Sequence, residues 1–282
     1  MRKRTVAPER AAYRSSMQPI SADLFADLSA DSSAGFSTCV GTAGWSLPRE
    51  TWQAFPPEGS HLERYAAVFN AVEINTSFYR PHQPKTYERW AASTPAHFRF
   101  SVKLPRTITH EAKLQGIDEL LARFAGEAGA LGDRLGAVLV QLPPSLALDA
   151  PAAGALFDAL QERFSCLVAC EARHASWFTP SATGLLRQAG VTRVLADPVV
   201  GYTGPFEPTA APAYVRLHGN PRIYYSRYTP ERMDEVRAWL ARHPASWCIL
   251  DNTASGAATA NALELLGREL PDQAASPERS ER

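Results

Sequence analysis

Nothing in the 282 residues is apolar for long enough to cross a bilayer, and neither sign of charge is in excess. No run approaches the roughly 18 residues of a spanning helix. Acidic and basic side chains number 29 each, which withholds the basic surplus that generic nucleic-acid binding uses. Cysteine is scarce: Cys39, Cys166, Cys170 and Cys248 are all there is. They fall inside apolar runs, not on the turns where zinc ligands come in close pairs, so they are expected to be small buried hydrophobes in a reducing cytoplasm. Three motifs that would announce a chemistry are also missing. GTAGW at 41–45 is no G-x-G-x-x-G dinucleotide loop, and neither H-E-x-x-H nor the nucleophile elbow G-x-S-x-G occurs. Residues 1–36 begin with basic MRKR but have no apolar stretch behind it, so a disordered leader is expected rather than a secretory signal, with Met17 as an alternative start. The last residues, PDQAASPERSER at 271–282, are expected to be a disordered tail.

What is present is a rhythm. Hydrophobic residues make up 45% and charged residues 21%, enough to bury a sizeable core. From Ser37 onward, short apolar runs recur at 37–43, 71–75, 98–103, 136–142, 166–171, 192–197, 213–219 and 246–252. Most are rich in Val, Ile, Leu or Phe, as buried parallel strands are. Helical stripes lie between them: HLERYAAVFN aligns Leu62, Tyr65, Val68 and Phe69, and TPERMDEVRAWLARH opens on a cap, Thr229, followed by Pro230. Parallel strands need crossovers of about a dozen residues, usually helical. Eight such units predict an α/β fold of the (β/α)8 TIM-barrel type over residues 37–270. The segment PVVGYTGPFEPTAAP (198–212) is too rich in Pro and Gly for a regular helix, so the sixth crossover is expected to be irregular.

Strand alternation then assigns directions. Tyr214, Arg216 and His218 share one face of AYVRLHG; Ser101 and Lys103 oppose Phe100 and Val102; Glu73 and Asn75 oppose Val72 and Ile74. Helices cover the outside of a barrel, so the polar set is expected to point into the lumen. The same counting is expected to bring Glu171, Arg173, Asp197 and Asp251 inward. All sit at the C-terminal ends of their strands, where barrel enzymes build active sites. Ion pairs this numerous at one end are hard to justify by stability alone.

Motifs recurring in order along the chain carry a resemblance: GTAGW, VEINTSFYRPH, RWAASTPAHFRFSVKLPRTITH, VLVQLPPS, EARHASW, YVRLHG and DNTASGAATANA. Over about residues 38–268 the chain resembles the domain of unknown function 72 family, the YecE-like proteins. That resemblance implies a TIM barrel and supplies no activity. Two departures stand out: Ala172 where the family often has Phe, and Asp251–Asn252 where it often has paired Asn.

Three chemistries are open to these residues. In the first, Glu73 and Glu171 exchange protons while Lys103, Arg173, Arg216 and His218 handle charge on a small anionic or hydroxylated substrate. The binding residues expected beside them are Thr42, Trp45, Asn75, Phe78, Tyr79, Arg106, His110, Gln141, Trp177, Asp197, Tyr225, Asp251 and Asn252. In the second, Glu171, Asp197, His218 and Asp251 hold a divalent metal, though Arg and Lys nearby argue against a cation and no cofactor is otherwise expected. In the third, Lys103, Arg106, Arg222 and Arg227 with Tyr224, Tyr225 and Tyr228 track a phosphate backbone, and GNPRIYYSRYT (219–229) acts as a mobile lid. His174 is expected to be structural. The first reading, with a small molecule as partner and no membrane, fits the composition best.

Overall fold

The computed structural model describes residues 38–204 and 207–268. The expected leader and tail lie outside the described residues. Each of the eight apolar runs becomes extended chain: β1 (Cys39–Thr42), β2 (Ala71–Ile74), β3 (Arg99–Lys103), β4 (Leu135–Gln141) and β5 (Leu167–Glu171), then β6 (Thr192–Arg193) with β7 (Leu195–Asp197), then β8 (Tyr214–Leu217) and β9 (Trp247–Leu250). The helices between them are α1 (His61–Ala66), α2 (Thr76–Tyr79), α3 (Pro84–Ala92), α4 (Asp118–Ala128), α5 (Ala150–Arg163), α6 (Pro180–Gln188), α7 (Pro230–Arg242) and α8 (Ala257–Leu265). Local chemistry sets their starts. Ser60 and Glu63 form a reciprocal capping box on α1, and Thr179 and Thr229 cap α6 and α7 just before a first-turn proline. Between Pro198 and Ala213 no helix forms among the described residues, as the Pro and Gly content predicts.

All strand pairs are parallel, in two arcs ordered β1-β9-β8-β7 and β2-β3-β4-β5-β6. Both joins between the arcs can be followed atom by atom. β6 and β7 are pieces of one strand interrupted at Val194, whose N–H still donates to Cys170 O at 3.0 Å. At the other join, β1 meets β2 through a bridge between Ala43 and Glu73 and through Gly44 N–H donating to Glu73 O at 2.9 Å. Below that bridge, side chains replace the ladder. The Tyr65 hydroxyl accepts Thr42 N–H at 2.8 Å and donates to Ala71 O at 3.1 Å. The Asn70 amide accepts Val40 N–H and donates to Thr38 O, both at 2.8 Å. Gly41 makes the approach sterically feasible, since a Cβ there would stand 2.0 Å from Ala71 O. The ring is thus a parallel (β/α)8 barrel.

Alternation sorts the core into two. Val72, Phe100, Val138, Val140, Cys170, Leu195, Val215 and Leu250 face the helices. Ala71, Ala137, Leu139, Ala169, Val194, Ala196, Tyr214, Trp247 and Ile249 fill the lumen. The four lumenal alanines leave room for the Tyr214 and Trp247 rings, which stack 5.7 Å apart. All four cysteines are free, Cys170 and Cys248 buried and Cys39 and Cys166 half-buried. Burial pushes the Cys170 and Cys248 thiols up to about 12, so they remain protonated packing groups.

Candidate functional site

Above the apolar plug, one guanidinium organises the C-terminal end of the lumen. Arg216, on the inward face of β8, is fully buried. Its Nε and one terminal nitrogen donate to the two oxygens of Glu73 on β2, at 3.0 and 2.7 Å. The other terminal nitrogen donates to Glu171 on β5 at 2.5 Å, and the first also reaches Asp251, just beyond β9, at 3.0 Å. A planar fork of five donors suits such a task. Tyr214 completes the shell of Glu73, its hydroxyl lying 2.9 Å from that carboxylate and 2.7 Å from Ser101 Oγ. Glu73 is wholly enclosed.

A second layer sits nearer solvent. Arg173 Nε donates to Glu171 at 2.8 Å, and its side chain keeps 13% exposure. His218 Nδ1 lies 3.0 Å from Asp251. Its Nε2 lies 3.3 Å from Glu171, yet off the angle of a hydrogen bond, which leaves this buried nitrogen unsatisfied. Burial acts to raise the Glu171 pKa, but Arg216, Arg173 and His218 outweigh it and hold the carboxyl well below the usual range. For His218 burial disfavours the imidazolium, while Glu171 and the Asp251 hydrogen bond raise its pKa above the ordinary value. Arg216 thus pairs with Glu73, Glu171 and Asp251, Arg173 adds to Glu171, and His218 adjoins Glu171 and Asp251.

Lys103 is the cation outside that balance. It lies inward at the end of β3, is 8% exposed, and forms no ion pair among the described residues. Its ammonium sits 4.2 Å from the Phe78 ring centre. Burial, then Arg216 and Arg173, lower its pKa to about 8. His110, in the π-helical turn Thr107–Glu111, packs edge-on against the same Phe78 and bonds Thr109 at 2.8 Å. Burial, with Lys103 and Arg106 next in effect, depresses it to about 4, so it is a neutral imidazole at pH 7. Asn75 lies beyond β2 with a buried, unsatisfied Oδ1, and Gln141 is buried at the end of β4 beside Glu171.

Other residues expected at the site lie elsewhere. Asp197 is turned toward the helices, because Val194 and Ala196 take the inward positions of their strand; it pairs with Arg232 of α7 at 2.9 Å. Thr42 likewise faces outward to Tyr65. Trp177 is buried in the helical shell against Phe157, its Nε1 donating to Leu146 O at 3.0 Å. Trp45 packs edge-on against Trp90 of α3. Asn252 ties the 219–229 loop to the barrel through Ser226 O and Asn261. Tyr79 is 71% exposed beside Phe78, Arg106 pairs with Glu111 at 3.2 Å, and Tyr225 stacks under Arg222. His174 caps the 3-10 turn Ala175–Phe178, as a structural histidine should.

Tyr224, named from sequence only as part of a phosphate-tracking stripe, instead meets His218 edge-on with its ring at 5.9 Å. Its backbone φ of 69° is unusual for a tyrosine and left no mark in the sequence. The loop carrying it is pinned rather than loose: Ala254 N–H donates to Tyr224 O, Ser255 to Tyr225 O, and the buried Tyr228 hydroxyl to Asp197 O.

With this geometry in place, comparison with known proteins is informative. The family described as "Protein of unknown function DUF72" matches residues 39–281. The chain belongs to the DUF72 family. UPF0759 protein YecE of Escherichia coli (strain K12) is 34% identical over 164 residues, covering 56% of this chain and 58% of that protein, so the match spans little more than half of this relative. A crystal structure of a DUF72 family protein from Thermotoga maritima, 27% identical, superposes with a TM-score of 0.66 over 82% of this chain and 98% of that one. A DUF72 family protein from Enterococcus faecalis, 18% identical, gives 0.69 over 82% and 94% and supports the fold alone. In this DUF72 member Asp251 is built into the network through both Arg216 and His218.

Proposed function

We propose that this DUF72 chain is an enzyme that takes a small anionic substrate at the C-terminal end of its barrel. Lys103 and Arg173 receive the negative group, and Lys103 and His218 handle protons. The observation that carries this reading is Lys103, a buried ammonium with no ion-pair partner among the described residues, beside a cluster in which each of the other charged groups has one. A cation kept there costs stability unless something negative completes it. Glu73 and Glu171 serve as counter-ions rather than as the proton-exchanging pair expected from sequence. One is sealed by Arg216 and Tyr214, and the other is too acidic to hold a proton near pH 7. The Phe78 ring beneath the Lys103 ammonium offers apolar surface to the uncharged part of the substrate.

Two other readings lose support from particular residues. A divalent cation would need Asp197, which pairs with Arg232, and would compete with the Arg216 guanidinium already between the carboxylates. A phosphate-tracking stripe would need Lys103 and Tyr228 at the surface, where both are buried, and Arg227 free, where it pairs with Glu264. The test is thermal denaturation of the full chain against small carboxylates and phosphate esters, followed by turnover assays on whatever binds. The expected result is a shift with anions that is absent in Lys103→Met. Equal shifts in parent and variant would overturn the assignment of Lys103, and stabilisation by no anion at all would overturn the reading.

A further inference from the structure

The position of Lys103 suggests covalent chemistry as well as binding. Resting on the anion-pocket reading above, we propose that Lys103 forms an imine with a small anionic compound bearing an aldehyde or ketone. A lysine that only paired with an anion would work best as a permanently charged ammonium. This one is arranged to surrender its proton: it is buried, it faces the Phe78 ring instead of a carboxylate, and the positive charges of Arg216 and Arg173 act on it. Desolvation and neighbouring cations are the physical means by which an amine becomes a nucleophile near neutral pH.

The neighbouring groups meet the remaining needs of the reaction. The deprotonated Nζ attacks the carbonyl carbon, a C–N bond forms, the C=O π electrons move to oxygen, and one proton passes from the now cationic nitrogen to that oxygen. The resulting carbinolamine then loses its hydroxyl as water, which requires a second proton at oxygen, while nitrogen gives up its remaining N–H proton to leave C=N. The sum is amine plus carbonyl giving imine plus water, with no oxidant or reductant. His218 is the donor suited to the departing hydroxyl. Glu171 and Asp251 raise its pKa above the ordinary imidazole value and so favour the protonated ring; Asp251 holds it through Nδ1, and Nε2 lies 3.3 Å from Glu171 without a hydrogen bond to it. When the imine is protonated, its charge lies where the ammonium had been, within the field of Asp251 and Glu73 that acts on Lys103. Arg173, the most exposed ion of the cluster, is left to receive the carboxylate or phosphate of the same molecule. Together these select a 2-oxo acid or a carbonyl-bearing phosphate ester over a plain acid or sugar.

The chain suits a direct test because it contains only Lys3, Lys85, Lys103 and Lys113 as lysines. Full-length protein is incubated with pyruvate or with glyceraldehyde 3-phosphate, reduced with sodium cyanoborohydride, and mapped by peptide mass spectrometry. The expected result is a single saturable adduct on Lys103, with a labelling rate whose pH midpoint lies near 8. An adduct spread over Lys85 and Lys113 to the same extent, or a midpoint at the ordinary lysine value, overturns the proposal. Lactate, which matches pyruvate but has no carbonyl, separates the two levels of inference. Lactate protection against heat without any pyruvate adduct sinks the imine and leaves the anion pocket standing, whereas failure of both sinks both. The mapping is done on the unaltered chain, so it does not depend on any variant folding.

Discussion

Arg216 uses all three of its guanidinium nitrogens on carboxylates from three other strands. Replacing it leaves three acids buried without their common partner. Arg216→Met is therefore expected to lose about 3–5 kcal/mol, read from urea unfolding, and Arg216→Lys to recover little, since a point charge cannot span the same oxygens. Lys103 carries the opposite sign. Its folded pKa of about 8 lies below that of an unfolded lysine. Between those values the unfolded chain holds a proton that the folded chain does not, so stability rises as pH rises through the window. The groups acting on it are Arg216, Arg173, Asp251 and Glu73. Lys103→Met is expected to be more stable than the parent at pH 7, by a margin on the order of 3 kcal/mol that closes by about pH 10.5. A variant no more stable at pH 7 would mean that burying this ammonium carries no penalty.

Among the strands, the β1–β2 seam depends on side chains where others depend on a ladder. Tyr65→Phe removes the hydroxyl that serves Thr42 N–H and Ala71 O, and is expected to cost about 1–3 kcal/mol by urea unfolding. Gly41→Ala is expected to cost more, because the new Cβ meets backbone that cannot step aside. This seam also marks how far the sequence was legible. The eight apolar runs foretold the strands, since a strand covered by helices must be apolar on its outer face. Simple alternation correctly placed Glu73, Ser101, Lys103 and Arg216 because those strands run unbroken to the lumen. It was misapplied at Asp197, where inward counting begins from Val194; Thr42 was named as a binding residue without such counting, and its inward neighbour is Gly41. Chemical type had been read there as direction. Trp177 was misjudged in the same manner, its ring being core and its N–H satisfied by a backbone carbonyl. Tyr224 was named for a phosphate stripe, but its contact with His218 was not legible, because its place follows from a left-handed turn that no residue type announces.

For the whole molecule, the charged floor predicts an asymmetric response to pH. Glu171 and Asp251 have lowered pKa values, so what they contribute is present above about pH 4 and is lost as pH falls through their folded values. His218 has a raised pKa, so its contribution is complete below about pH 6.5 and is lost as pH rises through its folded value. These are two sides of the same ion pairs, and His218→Gln is expected to remove the alkaline loss while leaving the acid transition in place, as followed by thermal melts across pH. The network also imposes an order on synthesis. Arg216 follows Glu73 by 143 residues and Glu171 by 45. A ribosome that has released the first five strands has delivered two of the acids and not yet their base. Until translation reaches the eighth strand, Glu73 and Glu171 lack the guanidinium that joins them.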